Sequence, residues 1–211
     1  MAKTGVAIGV VALCVLGAIT ADVIIHGPLT RFDTTVLESL HRHATPGGAT
    51  FFAAISRLGS PGAMTVLALS GVLLLATRRE WIVLGGWVVA FVGARLIYIL
   101  LKLAIHRPRP GSTAALLQQA SGWSFPSGHA MGSLVGYGML AYVMLLLVPR
   151  TRRFQLPIVT GTALLIIAIG VSRLYLGVHY FSDVVGGYAA GVLWLSACAA
   201  AVEVRRGTPI R

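Results

Sequence analysis

Charge is scarce in this chain, and acidic charge scarcest of all. Asp, Glu, Lys and Arg make up 11% of the 211 residues, against roughly 25% in an average soluble domain. Hydrophobic residues make up 56%, and the mean hydropathy is +0.84. Such a composition excludes an ordinary water-soluble domain and implies a membrane protein. Only six residues are Asp or Glu, and none are clustered in a way that would hold Mg²⁺ or Zn²⁺. The two cysteines, Cys14 and Cys198, lie inside apolar runs and far from any thiol-rich spacing, which reads as core or lipid-facing residues rather than a disulfide. No internal repeat, low-complexity segment or Pro-, Ser- or charge-rich linker marks a second unit, so a single domain over 1–211 is expected.

What is present is apolar length. A bilayer-crossing helix needs about 20 apolar residues, and six stretches qualify: Gly5–Ile25, Pro61–Thr77, Trp81–Leu101, Ala130–Val148, Leu156–Val171 and Val184–Val202. The first follows Lys3 as a signal peptide would, but its apolar run exceeds the ~7–15 residues of a signal-peptide core, so a retained helix is expected. The fold class is all-α, an integral membrane bundle of six transmembrane helices.

The net charge of +11 invites a nucleic-acid reading, which the positions of the cations argue against. With a cytoplasmic N-terminus, that side collects Lys3, Arg78, Arg79, Arg150, Arg152, Arg153, Arg205, Arg206 and Arg211, nine of the 17 basic residues. The other side holds Arg31, Arg42, Arg57, Lys102, Arg107, Arg109 and Arg173, and the last four of these seven lie in or beside polar clusters. The remaining contrast of nine to three favours cytoplasmic N- and C-termini.

Between the first two spans, Phe32, Val36, Leu37 and Leu40 recur at helical spacing within Arg31–His43, which predicts a short interfacial helix broken at Thr45-Pro46-Gly47-Gly48. It is read as a surface-lying connector or as a platform where a lipid enters. His26, His41 and His43 have no carboxylate or thiol partners at ligand spacing and are read as interfacial polar residues.

Three polar clusters stand out against this apolar background, where charge is costly and kept mainly where it binds or reacts. In the first, Lys102 ends the third span, and Pro108 and Pro110 hold Arg109 out of helix at the membrane edge. A compact ammonium beside a bidentate guanidinium suits a tetrahedral oxyanion, although basic helix ends also snorkel to headgroups. In the second, Pro126-Ser127-Gly128-His129 precedes the fourth span, so Ser127 and Gly128 fall at a helix N-terminus whose free amides point at an anion. Capping accounts for Ser127 but not for His129, which beside a phosphate can protonate a leaving oxygen. The third cluster is Ser172-Arg173 followed by His179 and Asp183, four residues apart and so expected on one face of a helical turn. A carboxylate there fixes the imidazole tautomer and leaves the other ring nitrogen free as nucleophile or base; a buried structural His–Asp pair is the alternative. The connections carrying these clusters, between spans three and four and between spans five and six, must lie on the same side of the membrane.

Lys102-x₆-Arg109-Pro110, Pro126-Ser127-Gly128-His129 and Ser172-Arg173-x₅-His179-x₃-Asp183 resemble, in order and internal spacing, the three-part signature of the type 2 phosphatidic acid phosphatase superfamily, the lipid phosphate phosphatases. No signature position departs from the pattern, which lies within 102–183. The resemblance implies a metal- and cofactor-independent membrane phosphatase of the compact bacterial kind. By that similarity His179 attacks phosphorus to give a phosphohistidine, Asp183 holds its ring, and His129 protonates the leaving group and then helps activate water. Lys102, Arg109, Arg173, Ser127 and the Gly128 amide would bind the phosphate oxygens, with Ser172 supporting them. Candidate substrates are phosphatidylglycerophosphate, undecaprenyl pyrophosphate and phosphatidate or diacylglycerol pyrophosphate. Vanadium haloperoxidases share the signature but lack six apolar spans.

The implied location is the plasma membrane with an extracytoplasmic active site. The implied partners are the bilayer and its lipid phosphates, with no nucleic acid and no obligate protein partner, and with a monomer or weak dimer as the expected state. A lipid-phosphate or anion transporter using the same cations without hydrolysis is the rival from another class, although transporters place polar groups near the midplane. Outside the signature, Arg95 lies two helical turns before Lys102 and so on its face; it is read as an extension of the cationic surface, as a partner of Asp22 or Asp33, or as a snorkelling cation. His106 and Arg107 are left without a role. Gly85, Gly86, Gly93, Gly186, Gly187 and Gly191 are read as sites of close helix packing.

Overall fold

A computed structural model describes residues 2–111, 122–147 and 152–207. The expected end of the fourth span at Val148, and Arg150 and Arg211 among the inner cations, lie outside them. Among the described residues there are eight helices and no strand: α1 (Ala2–Ile25), α2 (Pro28–Arg42), α3 (Pro46–Leu58), α4 (Pro61–Thr77), α5 (Trp81–Ile105), α6 (Gly128–Leu147), α7 (Arg152–Tyr175) and α8 (Phe181–Arg205). Six segments are long and apolar enough to cross a bilayer, namely Ala7–Ile25, Pro46–Thr77, Trp81–Ile105, Gly128–Leu147, Arg153–Tyr175 and Phe181–Arg205. The chain is a multi-pass, all-helical membrane protein.

The starts of several helices are written locally. Pro28, Pro46 and Pro61 each occupy the first turn, where a missing N–H costs nothing. Thr45 Oγ1 accepts the Gly48 N–H at 3.1 Å, and Ser60 Oγ accepts the Ala63 N–H at 3.2 Å. The Asp22 carboxylate, at the end of α1, accepts the free amides of Leu29 (3.2 Å) and Thr30 (2.9 Å) and so caps α2 from outside. At the other end of α5, His106 sits in the left-handed region at φ 38°, which stops the helix and turns the chain into the 107–110 stretch.

One expectation for the connection between the first spans needs correcting. Thr45-Pro46-Gly47-Gly48 does end α2, but it also starts a second helix, α3, because Thr45 caps it and Pro46 fills its first position. The expected interfacial helix is present as α2: Phe32 on its apolar face is exposed and packs edge-on against Phe181 with ring centroids 5.8 Å apart, and its one buried residue is Asp33. The inward face of α2 is thus chosen by a carboxylate rather than by its apolar stripe.

α8 is the central helix and packs against α1, α2, α5, α6 and α7. The main core lies among α4, α5, α6 and α8 and is built from Leu75, Trp87, Met131, Met139 and Val202, with Cys198 buried in it and Cys14 exposed on α1. Interhelical hydrogen bonds from aromatic side chains to backbone carbonyls tie the bundle: Trp87 to Ala68 O (2.9 Å), Trp194 to Ala90 O (3.0 Å), Tyr188 to Ile166 O (2.6 Å) and Tyr137 to Leu58 O (2.8 Å). Between apolar helices in lipid, where burial of apolar area gives little drive, such contacts and small residues set the packing. A Cβ on Gly93 would run into the Trp194 ring and one on Gly187 would lie 2.8 Å from Ser127 O, as the close-packing reading expects; Gly85 instead faces open space.

Candidate functional site

The three polar clusters meet where the 106–111 stretch, the start of α6, the end of α7 and the start of α8 come together. Ser124 stitches two of these segments, its N–H donating to Arg107 O (2.7 Å) and its hydroxyl to Pro108 O (3.0 Å). Ser127, fully buried, donates its backbone N–H to Asp183 O at 2.9 Å, which fixes the N-terminus of α6 against that of α8. Its Oγ accepts the Ala130 N–H at 3.4 Å as a helix cap. Gly128 is the first residue of α6, and a Cβ there would lie 2.8 Å from the Tyr98 ring.

His179 is buried at 3% exposure in the turn before α8. Its Nδ1 lies 3.3 Å from Asp183 Oδ2, and its Nε2 lies 3.3 Å from Arg109 Nη1. A guanidinium can only donate, so Nε2 is the acceptor and the proton sits on Nδ1, pointed at the carboxylate. The expected pairing is therefore formed, but not on one helical face: α8 begins at Phe181, and Asp183, in its first turn, reaches back to His179 and also accepts the Tyr180 N–H at 2.9 Å. Burial, aided by Arg109 and Arg173 and opposed by Asp183, pushes the His179 pKa down from 6.5 to about 4. The ring is neutral at pH 7.

Arg109 touches this ring, Arg173 acts on it electrostatically, and Lys102 acts on its partner Asp183. Arg109 donates from Nε to Gly122 O (3.0 Å) and from Nη1 to Val178 O (2.7 Å), which aims its fork at His179. Arg173, buried in the last turn of α7, donates to the Ser56 hydroxyl of α3. Lys102, half-buried, donates to Trp123 O and lies over the Tyr98 ring at 5.1 Å. His129, half-buried in the first turn of α6, is within electrostatic range of Arg173, His179 and Arg109. Gly59 comes close to it, since a Cβ there would lie 3.4 Å from the His129 ring. Ser172 is fully buried and donates to Ile169 O (2.6 Å), back into its own helix.

Sequence reasoning missed Arg107 and Asp33. Arg107 is buried and bonds Asp183 Oδ1 (2.6 Å), Ser182 Oγ (2.7 Å) and Asp33 Oδ2 (2.7 Å), with its guanidinium 4.2 Å from the Tyr180 ring centroid. Burial alone would lower its pKa, but Asp183 and Asp33 outweigh that and raise it. Asp33 Oδ1 also accepts the Ser182 N–H at 2.8 Å. The available signal was scarcity: a carboxylate is one of only six in the chain, and one placed in a helix laid on an apolar bundle has a cation to meet. Arg95 is exposed, 5.2 Å from the same Tyr98 ring that Lys102 covers, so the two share a face as expected. Its pairing with Asp22 or Asp33 is not formed, since Asp22 caps α2 and Asp33 holds Arg107.

A buried histidine, a carboxylate bonded to it, nearby cations and a helix N-terminus come together here, and the sequence around them has known relatives. The model of the PAP2 superfamily matches residues 82–206, and the chain belongs to that superfamily. It is 36% identical over 99 residues to the phosphatidylglycerophosphatase B of Bacillus subtilis, a match covering 47% of this chain and 48% of that one. It is 38% identical over 129 residues to the decaprenylphosphoryl-5-phosphoribose phosphatase of Mycobacterium tuberculosis, covering 60% of this chain and 64% of that one. The matches thus span about half to under two thirds of these relatives. Among solved structures, the transmembrane PAP2-type phosphatidylglycerolphosphate phosphatase of Bacillus subtilis superposes with a TM-score of 0.81 at 25% identity, covering 98% of both chains.

Proposed function

We propose that the chain is a membrane lipid phosphatase that removes phosphate from a lipid phosphate monoester or a lipid pyrophosphate through a phosphohistidine on His179. The observation that carries this reading is the orientation of one imidazole: Nδ1 is held by Asp183 and Nε2 faces the cations at Arg109. The Nε2 lone pair attacks phosphorus as the bond from phosphorus to the leaving oxygen breaks, and His129 gives that oxygen its proton. Water then attacks the phosphohistidine, passing a proton to His129 as the P–N bond breaks and inorganic phosphate departs. Lys102, Arg109, Arg173, Ser127 and the Gly128 amide hold the phosphate oxygens, and their stabilisation of the charge in flight is the largest catalytic term. Ser172 supports Arg173 from within α7. The names of the relatives support a lipid substrate, and the cation distribution supports cytoplasmic termini with the site on the outer face.

Detergent-solubilised protein is expected to release inorganic phosphate from phosphatidylglycerophosphate, phosphatidate or undecaprenyl pyrophosphate in the presence of EDTA. Binding of these lipids without release would instead make it a binding or transport protein. In sealed right-side-out vesicles, substrate added outside is expected to be turned over without permeabilisation.

A further inference from the structure

We infer that Arg107 and Asp33 are positioning residues for the proposed reaction, setting the charge and orientation of the Asp183 carboxylate and, through it, the basicity of His179. The four side chains form one buried chain, Asp33–Arg107–Asp183–His179, with links of 2.7, 2.6 and 3.3 Å. It runs from α2, through the 106–111 stretch, to α8 and the turn before it. None of the four is more than 8% exposed.

Geometry gives each member a distinct task. The two oxygens of Asp183 are divided: Oδ2 takes His179 Nδ1 and the Tyr180 N–H, while Oδ1 takes Arg107 at 2.6 Å and, at 3.5 Å, the Ser124 hydroxyl. Held on both sides, the carboxylate cannot rotate away from the ring. An arginine bonded directly to Asp183 would, by itself, cancel the negative charge that the imidazole needs. Asp33 restores it, because Asp33, Arg107 and Asp183 together carry one net negative charge. Asp33 also accepts the Ser182 N–H, and so anchors its own charge to the free amides at the start of α8. Other groups act on His179 and Asp183 from each neighbouring element: Arg109 from the same stretch as Arg107, Arg173 from α7, His129 from α6, Lys102 from α5 and the phenol of Tyr180. The cations among them all oppose a positive charge on the ring, which leaves the Asp33–Arg107–Asp183 group, among the described residues, as the source of net negative charge in contact with it.

The signs of two substitutions follow. Arg107→Gln leaves two carboxylates unopposed beside His179, favours the imidazolium, and moves the acid limb of kcat/KM up by about one pH unit or more. Asp33→Asn leaves Arg107 uncompensated, weakens the nucleophile, and lowers kcat about 10–100-fold with KM held, while the acid limb does not rise. Arg107→Lys keeps the charge and loses the fork, so it restores the position of the limb while recovering only part of the rate.

This assignment rests on His179 acting as the proposed nucleophile, and the test separates the two. Rates are measured from pH 3 to 9 for the unaltered protein and the three variants, each checked for folding by its thermal transition in detergent. No phosphate release by the unaltered protein would remove the phosphatase reading itself. Release by the unaltered protein, together with limbs moved in the stated directions, supports the positioning role. Equal rate losses with unmoved limbs would overturn it and leave Arg107 and Asp33 as structural ties. Where Arg107→Gln fails to fold, the nearly isosteric Asp33→Asn decides, and a kcat within twofold of the unaltered protein overturns the proposal.

Discussion

At the scale of single residues, the proposed mechanism depends on keeping one imidazole uncharged beside Arg109 and Arg173. Burial pushes the His179 pKa down to about 4. A group whose pKa is lowered stays in its neutral, nucleophilic form as pH falls, and loses it only on passing that value. The acid limb of kcat/KM, corrected for titration of the substrate phosphate, is therefore expected near pH 4. A limb at the ordinary histidine value of about 6.5 would mean that the ring is hydrated. The pairing of His179 with Asp183 was legible from a spacing of four residues, although the reason differs, since the helix starts between them and the carboxylate reaches back. Arg107 and Asp33 were not legible, because the residues that join them lie 74 positions apart in sequence. Only folding brings a cation and a carboxylate with no local relation into one buried bond.

At the scale of elements, the start of α4 at Pro61 and the Ser127 cap of α6 were legible, while the existence of α3 was not. Thr45-Pro46-Gly47-Gly48 carries the marks of a break and of a start at once, and the first is the more visible in sequence. Close approach between helices is the element-scale property that most directly shapes the site. Gly187 lets α8 lie against Ser127, where an added Cβ would be 2.8 Å from a backbone oxygen and 3.1 Å from Ala130 Cβ. Overpacking of this kind costs about 1–3 kcal/mol, which outweighs the roughly 0.5–1 kcal/mol that alanine gains over glycine in a helix. Gly187→Ala is expected to lower the thermal transition in detergent and to lower activity by shifting Ser127. Gly85→Ala, where nothing lies within 4 Å, is expected to leave activity unchanged and the transition equal or higher. Identical behaviour of the two variants would refute the close-packing account.

At the scale of the whole molecule, six apolar segments and the side of the membrane shared by the three clusters were legible, because composition and span length depend on nothing distant. The packing order was not, and above all the central place of α8, which brings α1, α2 and the turn carrying His179 against one element. That arrangement gathers in one place residues spread between Asp33 and Asp183 in the sequence. It supports the central proposal, that His179 carries the phosphate in transit. The most direct measurement is acid-free rapid quenching of the protein during turnover of a phosphate-labelled lipid, followed by peptide mass spectrometry. The account predicts an acid-labile, hydroxylamine-sensitive phosphoryl group on His179 that is absent from His179→Ala, with turnover lost alongside it. Near-normal turnover by His179→Ala, or a phosphoryl group trapped on a different residue, would contradict it.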